Sequence, residues 1–323
     1  MKGHPRPYLF FGKLPDYSDF VRYNASGDDV RTMESWVNEG LYRAERHFGD
    51  QWAAVYQRAA PHFFLFDPEN RESVLTGILK PSRDRSGRRY PFIIARRMEA
   101  LQGGEGAAFV LSRICSAPLA SLETLLLDRP DTPPAEISSR LERIADPLSP
   151  MPDPERKDFD RYLRSTSLDD LWDSVCADPE SPNKRVLERN LLELARLLRA
   201  AGSIPRASGM SFPLSRDLST RLREVCFWTK YVLTVRNNTG TFPTLFWPAS
   251  AEGSSSRLFV FLSRPSPRAF LSLMDPNADQ DTIFRADGEE RAAADGARSG
   301  RPSAAGAPLR SKGMTLDEFL AGL

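Results

Sequence analysis

Cysteine and histidine are scarce in this chain: three of each occur among 323 residues. Cys115, Cys176 and Cys226 lie far apart, show no Cys-x-x-Cys spacing, and are odd in number, so they cannot all pair internally. Buried, reduced thiols are the expectation. His4, His47 and His62 show no ligand spacing, and a zinc site is not expected. An excess of either charge is missing too. The formal net charge is +1, too small for a global field that would gather nucleic acid or an anionic membrane. No apolar run approaches the ~20 residues that span a bilayer. The first residues, Met1 to Pro7, lack the apolar stretch of a signal peptide. A cytoplasmic protein without direct membrane insertion is therefore expected.

The signatures of common chemistries are also missing. There is no Gly-x-x-x-x-Gly-Lys-Ser/Thr phosphate loop, and Gly103-Gly104-x-Gly106 is too degenerate to bind a nucleotide by itself. Ser82, Asp84 and His62 supply the residue types of a hydrolase triad, yet Ser82 has no Gly-x-Ser-x-Gly elbow and His62 sits inside an apolar run. The expectation is no enzyme, no cofactor and no catalytic residue, with a hydrolase ranked last.

What is present is an ordinary folding composition, 41% hydrophobic and 27% charged, long enough for a sizeable core. Residues 7–11 read as a short buried strand. Residues 29–48 carry Met33, Trp36, Val37, Leu41, Ala44 and Phe48 on one helical face, and a shorter helix carries Trp52, Val55 and Tyr56. Runs at 62–66, 73–79 and 90–98 read as strands joined by short turn-rich links, which favours antiparallel pairing. Apolar stripes predict helices over 106–128, 134–145, 155–164, 167–177 and 183–200, separated by proline-rich breaks. Strands at 209–214, 242–247 and 257–262 and helices at 217–232 and 267–274 follow. Residues 285–313 are rich in Ala, Gly, Arg, Ser and Asp, too weakly apolar to offset chain entropy, and read as a disordered linker. Thr315 and Glu318 then have capping-box spacing, with Leu316, Phe319, Leu320 and Leu323 on one face. So short a helix is marginal alone. Docking on its own domain, docking on another protein, and plain disorder all remain open.

Two motifs bracket the N-terminal third. The first runs Phe11-Gly12-Lys13-Leu14-Pro15-Asp16-Tyr17-Ser18-Asp19-Phe20-Val21. Gly12 permits positive φ and Pro15 fixes φ in the following turn. Asp19 is placed to accept backbone N–H bonds within the loop. The second runs from Gly77 through Lys80-Pro81-Ser82-Arg83-Asp84-Arg85-Ser86-Gly87-Arg88-Arg89-Tyr90-Pro91-Phe92. Pro81 and Gly87 shape a hairpin-like link. Asp84, among Arg83, Arg85, Arg88 and Arg89, suits an internal brace, because guanidinium and carboxylate bond in two parallel contacts. One Asp cannot satisfy four guanidinium groups, so some should face solvent and offer a contact for an acidic partner.

These two motifs resemble those of the TagF family of type VI secretion-associated proteins. Its opening block reads roughly Phe-Gly-Lys-Leu-Pro-x-x-Gly-Asp-Phe-Val, and Ser18 here stands where that pattern has glycine. A weaker likeness continues through Thr244-Leu245-Phe246-Trp247, Arg257 to Leu262 and Pro265 to Phe270. The resemblance implies a bacterial, cytoplasmic, non-enzymatic accessory protein of the type VI secretion system. Such proteins act after translation, in the main as repressors, through protein–protein binding, in part to a forkhead-associated scaffold protein. The alternative is an adaptor that recruits secretion components without repression. Nucleic acid is not an expected partner, and the oligomeric state is left open.

The expected fold is α+β: an antiparallel sheet flanked by helices, a largely helical middle, and a second strand-containing C-terminal lobe. The expected divisions are a TagF-like domain over 1–146, a helical and strand-containing lobe over 147–284, the linker over 285–313 and an amphipathic segment over 314–323. The family-motif residues offered for partner contact are Phe11, Gly12, Lys13, Leu14, Pro15, Asp19, Phe20, Pro81, Ser82, Asp84, Arg85, Gly87, Arg88 and Pro91. Leu316, Phe319, Leu320 and Leu323 form the candidate docking tail.

Overall fold

A computed structural model describes residues 7–69, 73–99, 132–144, 154–176, 184–204, 207–237, 242–249, 256–279, 281–288 and 313–323. The helix expected over 106–128, with Cys115, lies outside these residues. Strands β1 (Tyr8–Gly12), β2 (Val21–Tyr23), β3 (His62–Phe66), β4 (Ser73–Lys80), β5 (Phe92–Glu99), β6 (Gly209–Pro213), β7 (Thr244–Pro248), β8 (Arg257–Phe261) and β9 (Ile283–Arg285) form one sheet. Its order is β2-β1-β5-β4-β3-β7-β8-β6-β9. All pairings are antiparallel except β6 with β9. The fold is thus α+β with a mixed, mostly antiparallel sheet. β3 pairs with β7, Phe64 opposite Phe246, so one sheet takes strands from both sides of the division expected between residues 146 and 147.

Both faces of the sheet are covered, which is why its strands read as near-continuous apolar runs rather than alternating ones. Leu9, Phe11, Phe64, Phe66, Ile93, Phe246 and Phe261 point to one face. There they meet α1 (Asp28–Phe48), α2 (Trp52–Arg58) and α8 (Phe270–Met274). Trp36 of α1 stacks on Phe246 at 5.2 Å, meets Phe270 edge-on at 5.5 Å, and donates from Nε1 to the Ser266 carbonyl at 3.1 Å. Phe10, Phe63, Leu65, Ile94, Leu245, Trp247 and Phe212 point the other way. They meet α3 (Pro134–Leu141), α4 (Pro154–Ser165), α5 (Leu168–Val175), α6 (Lys184–Ala201), α7 (Leu218–Val235) and α9 (Leu316–Ala321).

Helix α7 is the centre of that second layer. Val225 to Trp228 and Tyr231 to Leu233 are all buried, as in a helix surrounded by protein. Its one buried carboxylate, Glu224, accepts from the Ser215 amide at 2.8 Å and the Ser174 hydroxyl at 3.1 Å. Burial pushes its pKa up, against the pull of those bonds.

Three expectations need correction. β2 and β9 are strands of three residues each, too short to show a periodicity. The strand expected from residue 90 begins at Phe92, because Pro91 has no N–H for the ladder. Residues 285–288, expected to belong to the linker, are instead part of the described structure, which continues through Gly288. The physical reason is a buried ion pair: Arg257 Nη1 donates to Asp287 Oδ2 at 2.6 Å, with both side chains almost wholly covered. Asn190 donates to the Gly288 carbonyl at 2.8 Å. The rest of the expected linker, 289–312, lies outside the described residues.

Candidate protein-interaction surface

The two motifs, far apart in sequence, meet at the end of the β1–β5 pair. Gly12 ends β1 with φ +133°, and a Cβ there would lie 2.2 Å from the Pro91 carbonyl oxygen. Only glycine allows that approach. Beyond it the chain turns, the Tyr17 amide donating to the Leu14 carbonyl at 3.1 Å, and Leu14 is buried. Phe20 meets Tyr90 of the second motif edge-on at 4.9 Å. Ser18 does not take a positive φ, so serine in place of the family's glycine brings no backbone strain.

The second motif forms a tight hairpin. Arg83 and Arg89 sit opposite one another as an antiparallel bridge. The Asp84 amide donates to the Arg88 carbonyl at 3.1 Å, and the Gly87 amide to the Asp84 carbonyl at 2.9 Å. Gly87 holds φ +87° in open space. Tyr56 of α2 anchors the base, its hydroxyl accepting from the Ser82 amide at 3.1 Å.

Asp84 ties the two loops together. Its carboxylate is wholly covered and accepts from Lys13 Nζ at 2.9 Å, Arg88 Nε at 2.6 Å, the Arg88 amide at 2.9 Å and the Ser86 hydroxyl at 2.7 Å. Burial alone would push this carboxyl up; the bonds from Lys13, Ser86 and Arg88 outweigh it and hold it far below the usual carboxylate range. The internal brace read from the sequence is therefore present, but its partners differ. Arg88 serves from the same loop, and the second cation is Lys13 of the first motif rather than a neighbouring arginine.

Asp19 does not brace its loop. It is exposed and accepts none of the described hydrogen bonds. Clamping comes from outside, through carbonyls. The Arg85 amide donates to Tyr17 at 3.0 Å, Arg85 Nη2 donates to Asp16, and Arg88 Nη2 donates to Ser18 at 2.6 Å. Arg83 and Arg89 are left over. Both are exposed, and neither makes an ion pair or side-chain hydrogen bond among the described residues.

Ser82, Asp84 and His62 share no hydrogen bond among the described residues. The Ser82 amide is held by Tyr56, Asp84 is committed to the brace, and the buried His62 ring donates from Nδ1 to the Ala60 carbonyl at 2.9 Å. Burial pulls His62 down to about 4, so it stays neutral. Among the described residues no group of His, Cys, Asp or Glu has metal-holding geometry, and no helix is long and apolar enough to cross a membrane. A groove of about 430 Å³ lies elsewhere, between α6 and Leu323.

Residues 10–144 match the family described as the TagF N-terminal domain, Type VI secretion system-associated. This segment is a TagF N-terminal domain. The chain that carries it is accordingly a type VI secretion-associated protein. The matched region spans β1 to β5 and α1 to α3 and contains both interlocked motifs, so the loops clamped through Asp84 belong to the TagF domain itself. No curated protein matches the chain. The crystal structure of PA0076 from Pseudomonas aeruginosa PAO1 is similar at 17% identity, covering 86% of this chain and 98% of that one with a TM-score of 0.47.

Proposed function

We propose that this chain is a non-enzymatic, cytoplasmic regulator of the type VI secretion system, and that it represses the system by binding one of its components. The observation that carries the reading is the Arg83–Arg89 pair. Like charges directly opposite across an antiparallel pair repel. Here the one buried carboxylate of the loop is already spent on Lys13 and Arg88. The TagF domain thus holds Arg83 and Arg89 opposite one another on a clamped loop, both exposed and neither in an ion pair among the described residues. A carboxylate from a partner relieves that repulsion and suits the forked donors of arginine. An acidic face on a secretion component is the fitting target, and the TagF resemblance points to a forkhead-associated scaffold protein. Repression follows if the bound component is withheld from assembly.

The test reverses both charges, Arg83→Glu with Arg89→Glu, in secretion-active cells. Both side chains are exposed, so the melting temperature should hold. Capture of the scaffold should fall roughly tenfold or more, wild-type capture should weaken with rising salt, and secretion should increase. Unchanged capture at every salt concentration removes this surface from the interface. Lost capture with reduced secretion makes the protein an adaptor instead of a repressor.

A further inference from the structure

Helix α9 begins in the same way as α5. Ser167-Leu168-Asp169-Asp170-Leu171-Trp172 and Thr315-Leu316-Asp317-Glu318-Phe319-Leu320 share one pattern: a hydroxyl cap, Leu, Asp, an acid, then two large apolar residues. Each cap closes a capping box. The Ser167 hydroxyl accepts from the Asp170 amide at 3.1 Å, and the Thr315 hydroxyl accepts from the Glu318 amide at 3.2 Å. The two caps also face each other as an antiparallel bridge. The Leu168 amide donates to the Met314 carbonyl at 2.8 Å, and the Leu316 amide donates to the Thr166 carbonyl at 3.0 Å. The residue before each cap thereby accepts from a first-turn donor that the other helix leaves without an intrahelical acceptor. The arrangement is reciprocal, as between two copies of one motif.

Both copies read the same aromatic ridge on α7. Trp172 stacks on Trp228 at 6.0 Å. Phe319 stacks on Tyr231 at 6.2 Å and lies 6.3 Å from Phe227. Leu316, Phe319 and Leu320 are buried, and α9 rests against α4. Yet α9 has six residues, well short of the roughly 12–15 a free helix needs in water. Its helix and its docking must form together. Its charged contact is peripheral: Arg164 and Asp317, both exposed, at 3.9 Å. Beside it the 430 Å³ groove stays open, with the exposed Leu192 on its wall.

We infer that the α4–α7 cleft under α9 is a helix-docking groove, that α9 is its tethered occupant, and that a protein helix bearing the same cap-Leu-Asp-acid-apolar-apolar pattern takes α9's place. Covalent attachment makes the cis contact intramolecular, so it holds with a weaker intrinsic affinity than a free ligand needs. Displacing α9 uncovers the Phe227–Tyr231 ridge for the incoming helix, and the open groove along α6 gives that helix its first foothold. This inference does not depend on the arginine surface.

A fluorescent peptide spanning Met314 to Leu323 is the probe. It is titrated into the full chain and into the full chain carrying Phe319→Ala with Leu320→Ala, whose groove is vacated. The peptide should bind the double variant and bind wild type roughly tenfold more weakly or worse, since α9 competes. The same peptide with Phe319→Ala should bind neither. Equal binding to both chains, or none to a double variant that still melts cooperatively, overturns the inference. If the double variant fails to fold, a protease site placed within residues 296–306 of the wild-type chain replaces it. After cleavage the labelled peptide should exchange into the groove, and a released end that stays bound without exchange shows a permanent core element.

Discussion

Replacing Gly12 with alanine tests whether the two motif loops are locked by backbone contact. Two costs apply at this position. Alanine at φ +133° enters a region almost reserved for glycine, at about 1–3 kcal/mol. Its Cβ also falls 2.2 Å from the Pro91 oxygen and 2.8 Å from the Phe92 Cα. Those are backbone atoms at the end of the β1–β5 pair, so no side-chain rotation makes room, and overpacking of this kind adds about 1–3 kcal/mol. The sum is about 2–6 kcal/mol, a large share of the ~5–15 kcal/mol that holds a typical domain together. Gly87→Ala is the control. Its φ is +87°, but nothing lies within 4 Å of a Cβ there, so it bears the conformational cost alone, about 1–2 kcal/mol. Urea unfolding of both variants, compared at equal m-value, gives the difference. Gly12→Ala should lose at least ~1 kcal/mol more than Gly87→Ala, and amides of the second motif should exchange faster as Lys13 is pushed off Asp84. Equal losses in the two variants refute the argument that contact with Pro91 dictates glycine.

Two further outcomes follow from buried ionisable groups. His62 is held near 4 against 6.5 for a free imidazole, so the unfolded chain takes up its proton first as pH falls. Stability should decline between about pH 6.5 and 4, by about 3 kcal/mol at most, and His62→Leu should flatten that part of a pH–stability profile. Asp287→Ala leaves the Arg257 guanidinium buried with, among the described residues, only Ser211 as a side-chain hydrogen-bond partner. Breaking such a pair costs about 3–5 kcal/mol, which chemical denaturation should register together with faster amide exchange in β6 and β9. A loss below about 1 kcal/mol would mean that residues 283–288 add little to the sheet.

Strands buried on both faces were legible because nearly every residue in them is apolar: His62–Phe66 and Phe92–Met98 stand out from their flanks. The order of strands was not, since nothing local to Phe64 announces Phe246 as its neighbour. β2 and β9 escaped notice for a different reason. Each has three residues, and β9 opens a stretch whose small polar residues conceal the one aspartate that pairs with Arg257. Within the motifs, Asp84 was recognisable as a braced carboxylate from the arginines around it. Lys13 was not recognisable as its partner, being 71 residues away. Asp19 looked like an acceptor of loop N–H groups by residue type, but its side chain is exposed, and the loop is held through its carbonyls by Arg85 and Arg88 instead. The capping box made α9 legible as a helix. Its docking on α7 rests on side chains more than eighty residues upstream.

The β3–β7 pairing also sets a timetable for synthesis. Asp67, at the end of β3, and Thr244, at the start of β7, bond across 177 residues. A ribosome adding about 5–20 residues per second needs roughly 10–35 s to cover that distance. For that interval the TagF portion of the nascent chain carries β3 as an open edge, with His-Phe-Phe-Leu-Phe offering unpaired backbone beside aromatic side chains. The aromatic strand that joins the finished sheet is thus the place where the half-made protein is most exposed to wrong pairings, and where a chaperone has the most to protect.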